Sequence, residues 1–430
     1  MTNVLLIGNG AREHALAEAL VKSSKLYSFM AANNPGISSL SEKIKISSLN
    51  DFDALKAFVN EVQPDFAVIG PEAPLDMGVV DFLEELKVPS VGPHRVLARL
   101  ETSKAFTRDV MAKYSVPGAP RFKVFEDLTE AKEFIEELEG FVIKPDGLTG
   151  GKGVKVQGDH LDTVEEAIDY CKDVLKDHQS VIVEEKLIGE EFSLQCITDG
   201  KTVKITPPAQ DHKRAFVDDK GPNTGGMGSY SCEDHLLPFI TDEHVQQARE
   251  ITELMAEALY KETGVRYKGI MYGGFIVTKN GVKLIEYNAR FGDPEAMNVL
   301  PIMKTDFTKV CKAVVEERLD DFELEFEDKA TVCKYAVPEG YPSNPVKNVK
   351  IEVGDSKARI YYAAVDQRED GLYMTGSRAV AFVGIGDNIA EAEKIAQQAV
   401  SDVKGPVFFR EDIGTERLLN KRIEHMKQLI

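Results

Sequence analysis

The stretch Lys283–Glu295, KLIEYNARFGDPE, holds the side chains of this chain best suited to chemistry. It follows GIMYGGFIVTKNG, where Asn280-Gly281 between two apolar runs predicts a hairpin turn. Side chains on an extended strand alternate faces, so Leu284, Glu286, Asn288 and Arg290 are expected on one side, neighbours about 6–7 Å apart. A carboxylate and a carboxamide oxygen in that row suit a hard cation such as magnesium. The guanidinium suits a carboxylate or a phosphate. Three polar residues on a strand equally describe a solvated face, and it is the crowded RFGDPE continuation and the glycine-rich loops elsewhere that tip the reading towards a site.

The strongest of those loops runs from Lys144 to Val154, KPDGLTGGKGV. Gly147, Gly150, Gly151 and Gly153 let bare amides approach phosphate oxygens, and Lys144 and Lys152 supply charge. It is not a Walker loop, because the GxxxxGK[ST] spacing is absent. The turn Gly8-Asn9-Gly10-Ala11-Arg12-Glu13 resembles a dinucleotide fingerprint, but Glu13 stands where the third glycine belongs. A phosphate on that helix N-terminus, reached by Arg12, is the better expectation. Pro71 and Glu72 follow a second buried strand, and Glu72 could accept hydrogen bonds from a sugar diol or simply favour its helix dipole. Glu184, Glu185, Lys186 and Leu187 could offer backbone groups to a base, and Glu191 a carboxylate to a ribose, although an acidic strand end is the simpler account of the same residues. The stretch Gln210–Cys232 shows no periodicity and carries Asp211, Lys213, Arg214, Asn223, Thr224, Gly225 and Gly226, so it reads as a ligand-binding loop.

These stretches need a scaffold, and its class is legible. Over the first hundred residues, apolar runs at 4–7, 28–32, 66–69 and 89–91 alternate with helical patterns at 11–22, 51–62 and 75–86, predicting an open parallel α/β sheet. Residues 94–117 read as helical with Lys104 in the middle. A smaller α/β unit follows, with strands near 121–125, 141–145, 153–157 and 181–185 and helices at 128–138 and 161–175. A long helix at 242–262 precedes the hairpin, and residues 330–430 form a last α/β unit with no catalytic constellation of its own. The expected division is residues 1–102, residues 103–325 with a lid at 118–190, and residues 326–430.

Bulk properties narrow the function. Net charge is −19, from 52 basic and 71 acidic residues, which disfavours a polyanionic nucleic-acid partner. A small phosphorylated substrate remains compatible, because screening beyond about 8 Å leaves local lysines to decide. No apolar run reaches membrane-span length and no signal peptide is evident, so a cytoplasmic protein is expected. Five scattered cysteines without a CxxC predict reduced core thiols.

Taken in order, IGNGAREHAL, VIGPEAPL, LETSKAF, IKPDGLTGGKGV, VEEKLIGEEFS, QDHKRAFVDDKGPNTGGMGSYS and EYNARFGDPE resemble the ATP-grasp ligases, and among them the glycinamide ribonucleotide synthetase family. The resemblance implies an N-terminal parallel α/β domain, a two-lobed α+β ATP-grasp domain and a small C-terminal α/β domain. It implies that Lys104, Lys144, Lys152 and Glu191 hold ATP, with Gly147, Gly150, Gly151 and Gly153 cradling phosphates and Glu184–Leu187 lining the adenine pocket. Glu286 and Asn288 would bind Mg2+ or Mn2+. Gly8–Glu13, Pro71 and Glu72 would hold 5-phosphoribosylamine, and Asp211, Lys213, Asn223–Gly226, Arg290 and Asp293 the rest of the substrate site. Arg290, Lys152, Asp211 and Lys213 would act on the reacting groups. The chain departs from the family pattern at Pro145, Gly150, Ala289 and Ser377.

The implied reaction converts a poor electrophile, the glycine carboxylate, into glycyl phosphate at the expense of ATP; the sugar amine then displaces phosphate. A monomer, with a dimer possible, is expected. The alternatives are another ATP-grasp ligase or a carboxylase of purine synthesis, and a nucleotide-binding protein without turnover.

Overall fold

The computed structural model describes residues 1–148 and 153–429. The N-terminal sheet is all parallel, with the spatial order Lys43–Ile46, Ser24–Met30, Thr2–Ile7, Phe66–Ile69, Ser90–Val91. Its central strands are buried apolar runs, as a parallel sheet covered on both faces requires. Lys43–Ile46 escapes the apolar-run reading because it is an edge strand of alternating lysine and isoleucine, mostly exposed. The expected helix at 75–86 is two short ones, Glu72–Asp76 and Val79–Glu85, broken at Gly78 with φ 82°.

The helix expected over 94–117 is likewise two, Arg95–Thr102 and Lys104–Lys113. Ser103 is extended and its hydroxyl accepts from the Phe106 amide, so it caps the second helix and puts Lys104 in the first turn, not the middle. The following lobe is a four-stranded antiparallel sheet, Phe122–Phe125, Val181–Glu185, Phe141–Pro145, Lys155–Val156, backed by Ala131–Glu136 and Val164–Asp177. Phe125, Ile135, Phe141 and Val183 give it an apolar core separate from the main one.

The larger lobe has the strand order Val203–Ile205, Glu190–Thr198, Gly269–Thr278, Gly281–Asn288, with the helix Asp242–Thr263 against it. Gln210–Cys232 is not an irregular loop. Gln210–Asp211 and Gly228–Ser231 join the sheet of Ala330–Pro338, Val380–Gly386 and Arg359–Tyr362, and Arg214–Phe216 pairs with Lys220–Asn223 as a hairpin. Its strands are too short and too polar to show a period, and long-range pairing defines them. All five cysteines are buried and unbridged. Among the described residues no helix is long and apolar enough to cross a membrane.

Candidate active site

Two adjoining cavities, about 310 and 950 Å³, meet at the strand Gly281–Asn288 and share Lys144, Glu184, Asp211, Lys213 and Glu286. The strand does not alternate as its sequence suggests. Opposite it, Gly274 pairs with Glu286 but Phe275 with Leu284, so Ile285 is an extra residue, a bulge. Leu284 is therefore turned into the core, fully buried with Val282, and does not share a face with Glu286 and Asn288. Ile285 and Glu286 both line the cavities instead.

Glu286 stands where the cavities join. Burial alone would raise its pKa, but Lys213, Lys104, Lys144 and Arg290 together hold it at about 2, so it is ionised. Its Oε1 lies 3.5 Å from Lys213 Nζ. Lys104 Nζ donates to the Gly147 carbonyl at 3.0 Å, drawing the glycine loop toward the same point. Gly147 has φ 123° and Gly153 accepts from the Tyr170 hydroxyl at 2.7 Å. Gly150, Gly151 and Lys152 lie outside the described residues.

Arg290 is anchored from several sides. Nε donates to Glu72 Oε2 at 3.1 Å, and Nη2 to Glu101 Oε1 at 2.8 Å and Asn288 Oδ1 at 3.2 Å. Burial works against its charge, and Glu101 and Glu72 outweigh that, so its pKa is raised. Glu72 would be pushed up by burial, yet Arg290 and Arg12 hold it at about 2. Glu101 also accepts from the Ala289 amide at 2.7 Å. Ala289 itself is buried away from the cavity.

The N-terminal turn sits partly behind this layer. Of Gly8–Glu13 only Arg12 lines the cavity. Glu13 folds back into the turn, accepting from the Gly10 amide at 2.6 Å and from Arg12 Nε at 2.6 Å, and so occupies part of the helix N-terminus expected to face a phosphate. Asn9 is committed to Ala31 and Asn34. Gly8 packs against Glu13 and Pro71, and Pro71, like the turn, does not line the cavity.

On the far wall, Thr224 and Gly225 line the smaller cavity and Asn223 the larger. Gly226 has φ 113°, and a side chain there would meet Pro294. Asp211 faces Lys213. Asp211 is the largest influence raising the Lys213 pKa, while burial raises that of Asp211. Glu184 lies 2.6 Å from Lys144 Nζ and accepts two bonds from Arg108, so its side chain is internal. The amides of Glu185 and Lys186 are bonded to Arg121 and Gly140 within the lid sheet. Lys186, Leu187 and Glu191 line the larger cavity.

Several residues of the site were not singled out from the sequence. Arg378, from the C-terminal unit expected to carry no catalytic constellation, lines the cavity. Its Nη1 donates to the carbonyls of Gly225, Gly226 and Asp293 at 2.8–3.1 Å and lies 3.2 Å from Asp293 Oδ1. No local pattern marks it. Glu101 and Arg108 flank Lys104 in and beside LETSKAF, which was the available signal. Tyr272 donates to Glu295 Oε1 at 2.6 Å, and Glu295 closes the motif RFGDPE.

Burial, then Asp211, pushes the Glu295 carboxyl up from 4.5 to about 7. The folded chain thus binds that proton more tightly than the unfolded one. The resulting stability is fully present below pH 4.5 and is lost as pH rises through about 7. Glu295→Gln keeps an acceptor for Tyr272 and removes the titration. Its melting temperature relative to the parent is expected to climb between pH 5 and 8, by the equivalent of about 3 kcal/mol at most. A difference that stays constant over that range refutes the assignment.

A parallel sheet at the N-terminus, a two-lobed domain clasping a polar cleft and a covering C-terminal unit define the ATP-grasp class of enzyme. Comparison with known proteins narrows this. Family models for phosphoribosylglycinamide synthetase match the N domain at residues 2–101, the ATP-grasp (A) domain at 102–296 and the C domain at 331–416. A Methanocaldococcus jannaschii protein described as phosphoribosylamine–glycine ligase is 52% identical over 441 residues, covering 99% of both chains. A Methanosarcina acetivorans protein of the same description is 48% identical, covering 99% of this chain and 97% of that one. Among solved structures, phosphoribosylamine–glycine ligase from Thermotoga maritima superposes with a TM-score of 0.83 at 28% identity, covering 96% of this chain and all of that one. The biotin carboxylase domain of Hydrogenobacter thermophilus 2-oxoglutarate carboxylase shares the fold alone, with a TM-score of 0.71 at 15% identity. The chain belongs to the phosphoribosylglycinamide synthetase family.

Proposed function

We propose that this protein joins glycine to 5-phosphoribosylamine at the expense of ATP, releasing ADP and phosphate, as a step of purine biosynthesis. The observation that carries the reading is the ionised Glu286 ringed by Lys213, Lys104, Lys144 and Arg290 at the junction of two cavities. Such a point can receive a triphosphate from one side and a small acid from the other.

In this reading the larger cavity takes the nucleoside, against Lys186, Leu187 and Glu191, with the glycine loop and Lys104, Lys144 and Lys152 over the phosphates. Glu286 and Asn288 suit a divalent ion, Mg2+ or Mn2+: one is an ionised carboxylate, the other a carboxamide oxygen. That ion supplies charge neutralisation on the phosphates.

The smaller cavity takes the zwitterion and the sugar amine. Arg290 presents a guanidinium to the glycine carboxylate, and Asp211 with Glu295 forms an acidic wall for its ammonium. A carboxylate oxygen attacks the γ-phosphorus and the bond to ADP breaks. The nitrogen of phosphoribosylamine then bonds the carbonyl carbon, phosphate leaves, and the nitrogen gives up a proton. Arg12, Glu72 and Asp293, which line this cavity, would hold the phosphoribosyl group. Acyl phosphate hydrolyses readily, so closure of the lid over the site excludes water. We place the enzyme in the cytoplasm, acting as a monomer.

The test combines the purified protein with ATP, magnesium, glycine and freshly prepared phosphoribosylamine. Phosphate release is expected only with both co-substrates present, and chelation of the metal stops it. Release at the same rate with bicarbonate or another acid replacing glycine refutes the substrate assignment.

A further inference from the structure

The C-terminal helix, Glu416–Leu429, lies beyond the matched C domain and forms one wall of the larger cavity. Its apolar positions Leu418, Leu419 and Met426 are buried against the protein. Lys421, His425 and Gln428, spaced four and three residues apart, share another face, and all three line the cavity that Lys186 and Leu187 also line. The helix is fixed there by charge. Arg422 pairs with Asp219, whose other oxygen takes Arg410 Nη1 at 2.9 Å, and Arg410 is completely buried. His425 Nδ1 is 2.6 Å from Glu190 Oε1, the residue before Glu191.

The triphosphate end of the cavity is accounted for by Lys144, Lys213 and Glu286 near the smaller cavity. The end lined by Leu187, His425 and Gln428 carries donors, acceptors and apolar surface, the mixture a purine nucleoside requires.

We propose that this helix completes the nucleoside half of the site, and that His425 and Gln428 contact the adenosine of the bound nucleotide. The inference rests on the reading above that ATP occupies the larger cavity. The helix then acts on nucleotide affinity, and the amino-acid end of the reaction is indifferent to it.

The test titrates ADP with magnesium, and separately inorganic tripolyphosphate, into the parent protein, a His425→Ala/Gln428→Ala variant and Gln428→Ala alone. Gln428 is exposed, so the single variant leaves folding intact. The double variant is expected to bind ADP about tenfold more weakly and the single variant about threefold, each hydrogen bond to a ligand being of that order. Tripolyphosphate affinity and the KM for glycine are expected to stay as in the parent for both variants, and the melting temperature for Gln428→Ala; the double variant also loses the His425–Glu190 contact and is expected to melt lower. ADP affinity within twofold of the parent in both variants overturns the inference, as does an equal loss for tripolyphosphate, which would move the helix to the phosphate end. A parent protein that binds tripolyphosphate but not ADP, or neither, removes the underlying reading as well.

Discussion

Arg290→Ala is expected to lower kcat/KM for glycine by about a thousandfold or more, equivalent to ~4 kcal/mol of transition-state stabilisation, while ADP still binds. The guanidinium lines the smaller cavity and helps keep Glu286 ionised, on the side where the proposed reading puts the acid that meets the phosphate. The structure adds a consequence that the motif alone does not contain. Arg290 also joins Glu72 of the N-terminal unit to Glu101 on the helix before Lys104. Alanine leaves two carboxylates facing each other without their shared cation, a kind of loss that typically removes about 3–5 kcal/mol of stability. Arg290→Lys separates the two effects. Lysine restores one positive charge and much of the stability, but a point charge cannot serve Glu72, Glu101 and a carboxylate in fixed directions. Steady-state kinetics and thermal scans of both variants make the check. Near-parental turnover in either one removes Arg290 as the substrate clamp.

The same pairing recurs around the whole site. Among the described residues lining the smaller cavity, Arg12, Lys104, Arg108, Lys144, Lys213, Arg290 and Arg378 face Glu72, Glu101, Glu184, Asp211, Glu286, Asp293 and Glu295, seven cations against seven carboxyls. A chain of net charge −19 therefore does not build its anion site from unpaired lysines. It places most of these cations against a carboxylate, with Lys104 on the Gly147 carbonyl instead, which fixes geometry before any substrate arrives and compensates much of the buried charge. Burial raises the pKa of Glu295, Asp211 and Glu101, so whatever positive excess the walls hold comes from carboxyls that keep a proton.

What the sequence made legible were features written in short-range patterns. The parallel order of the first domain follows from apolar runs alternating with helical ones, and the hairpin from Asn280-Gly281. Features set by distant partners were not legible. Ile285 looks like an ordinary strand residue, and only the pairing with Gly274 and Phe275 makes it a bulge that turns Leu284 inward and Glu286 outward. Ser103 could sit inside a helix, and its cap depends on the chain leaving in another direction. Arg378 reaches Gly225 from 153 residues away, so no local spacing could have revealed it. Glu184 was read for its backbone, whereas its side chain is the centre of an ion network.

That network gives the second large effect, visible as a contrast between two variants. Arg108 donates to both carboxylate oxygens of Glu184, at 2.6 and 3.2 Å, and to the carbonyls of Leu284 and Ile285 at 3.1 and 2.8 Å. Lys144 reaches the same carboxylate at 2.6 Å and the Ile285 carbonyl at 3.4 Å. One glutamate thus ties the lid sheet to the helix Lys104–Lys113 and to the strand bearing Glu286. Burial would raise its pKa, and Arg108 and Lys144 instead hold it at about 2. Glu184→Ala strands two buried cations, so a stability loss of about 3–5 kcal/mol is expected, read as a large drop in melting temperature. Lys144→Ala leaves the carboxylate paired with Arg108, so its melting temperature is expected to fall much less. Its loss appears in nucleotide titration, where ADP and ATP bind about ten- to a hundredfold more weakly, because a charge-assisted contact to phosphate is gone. If Lys144→Ala bound nucleotide like the parent while melting as low as Glu184→Ala, the lysine would be part of the scaffold. The glycine loop alone would then have to hold the triphosphate.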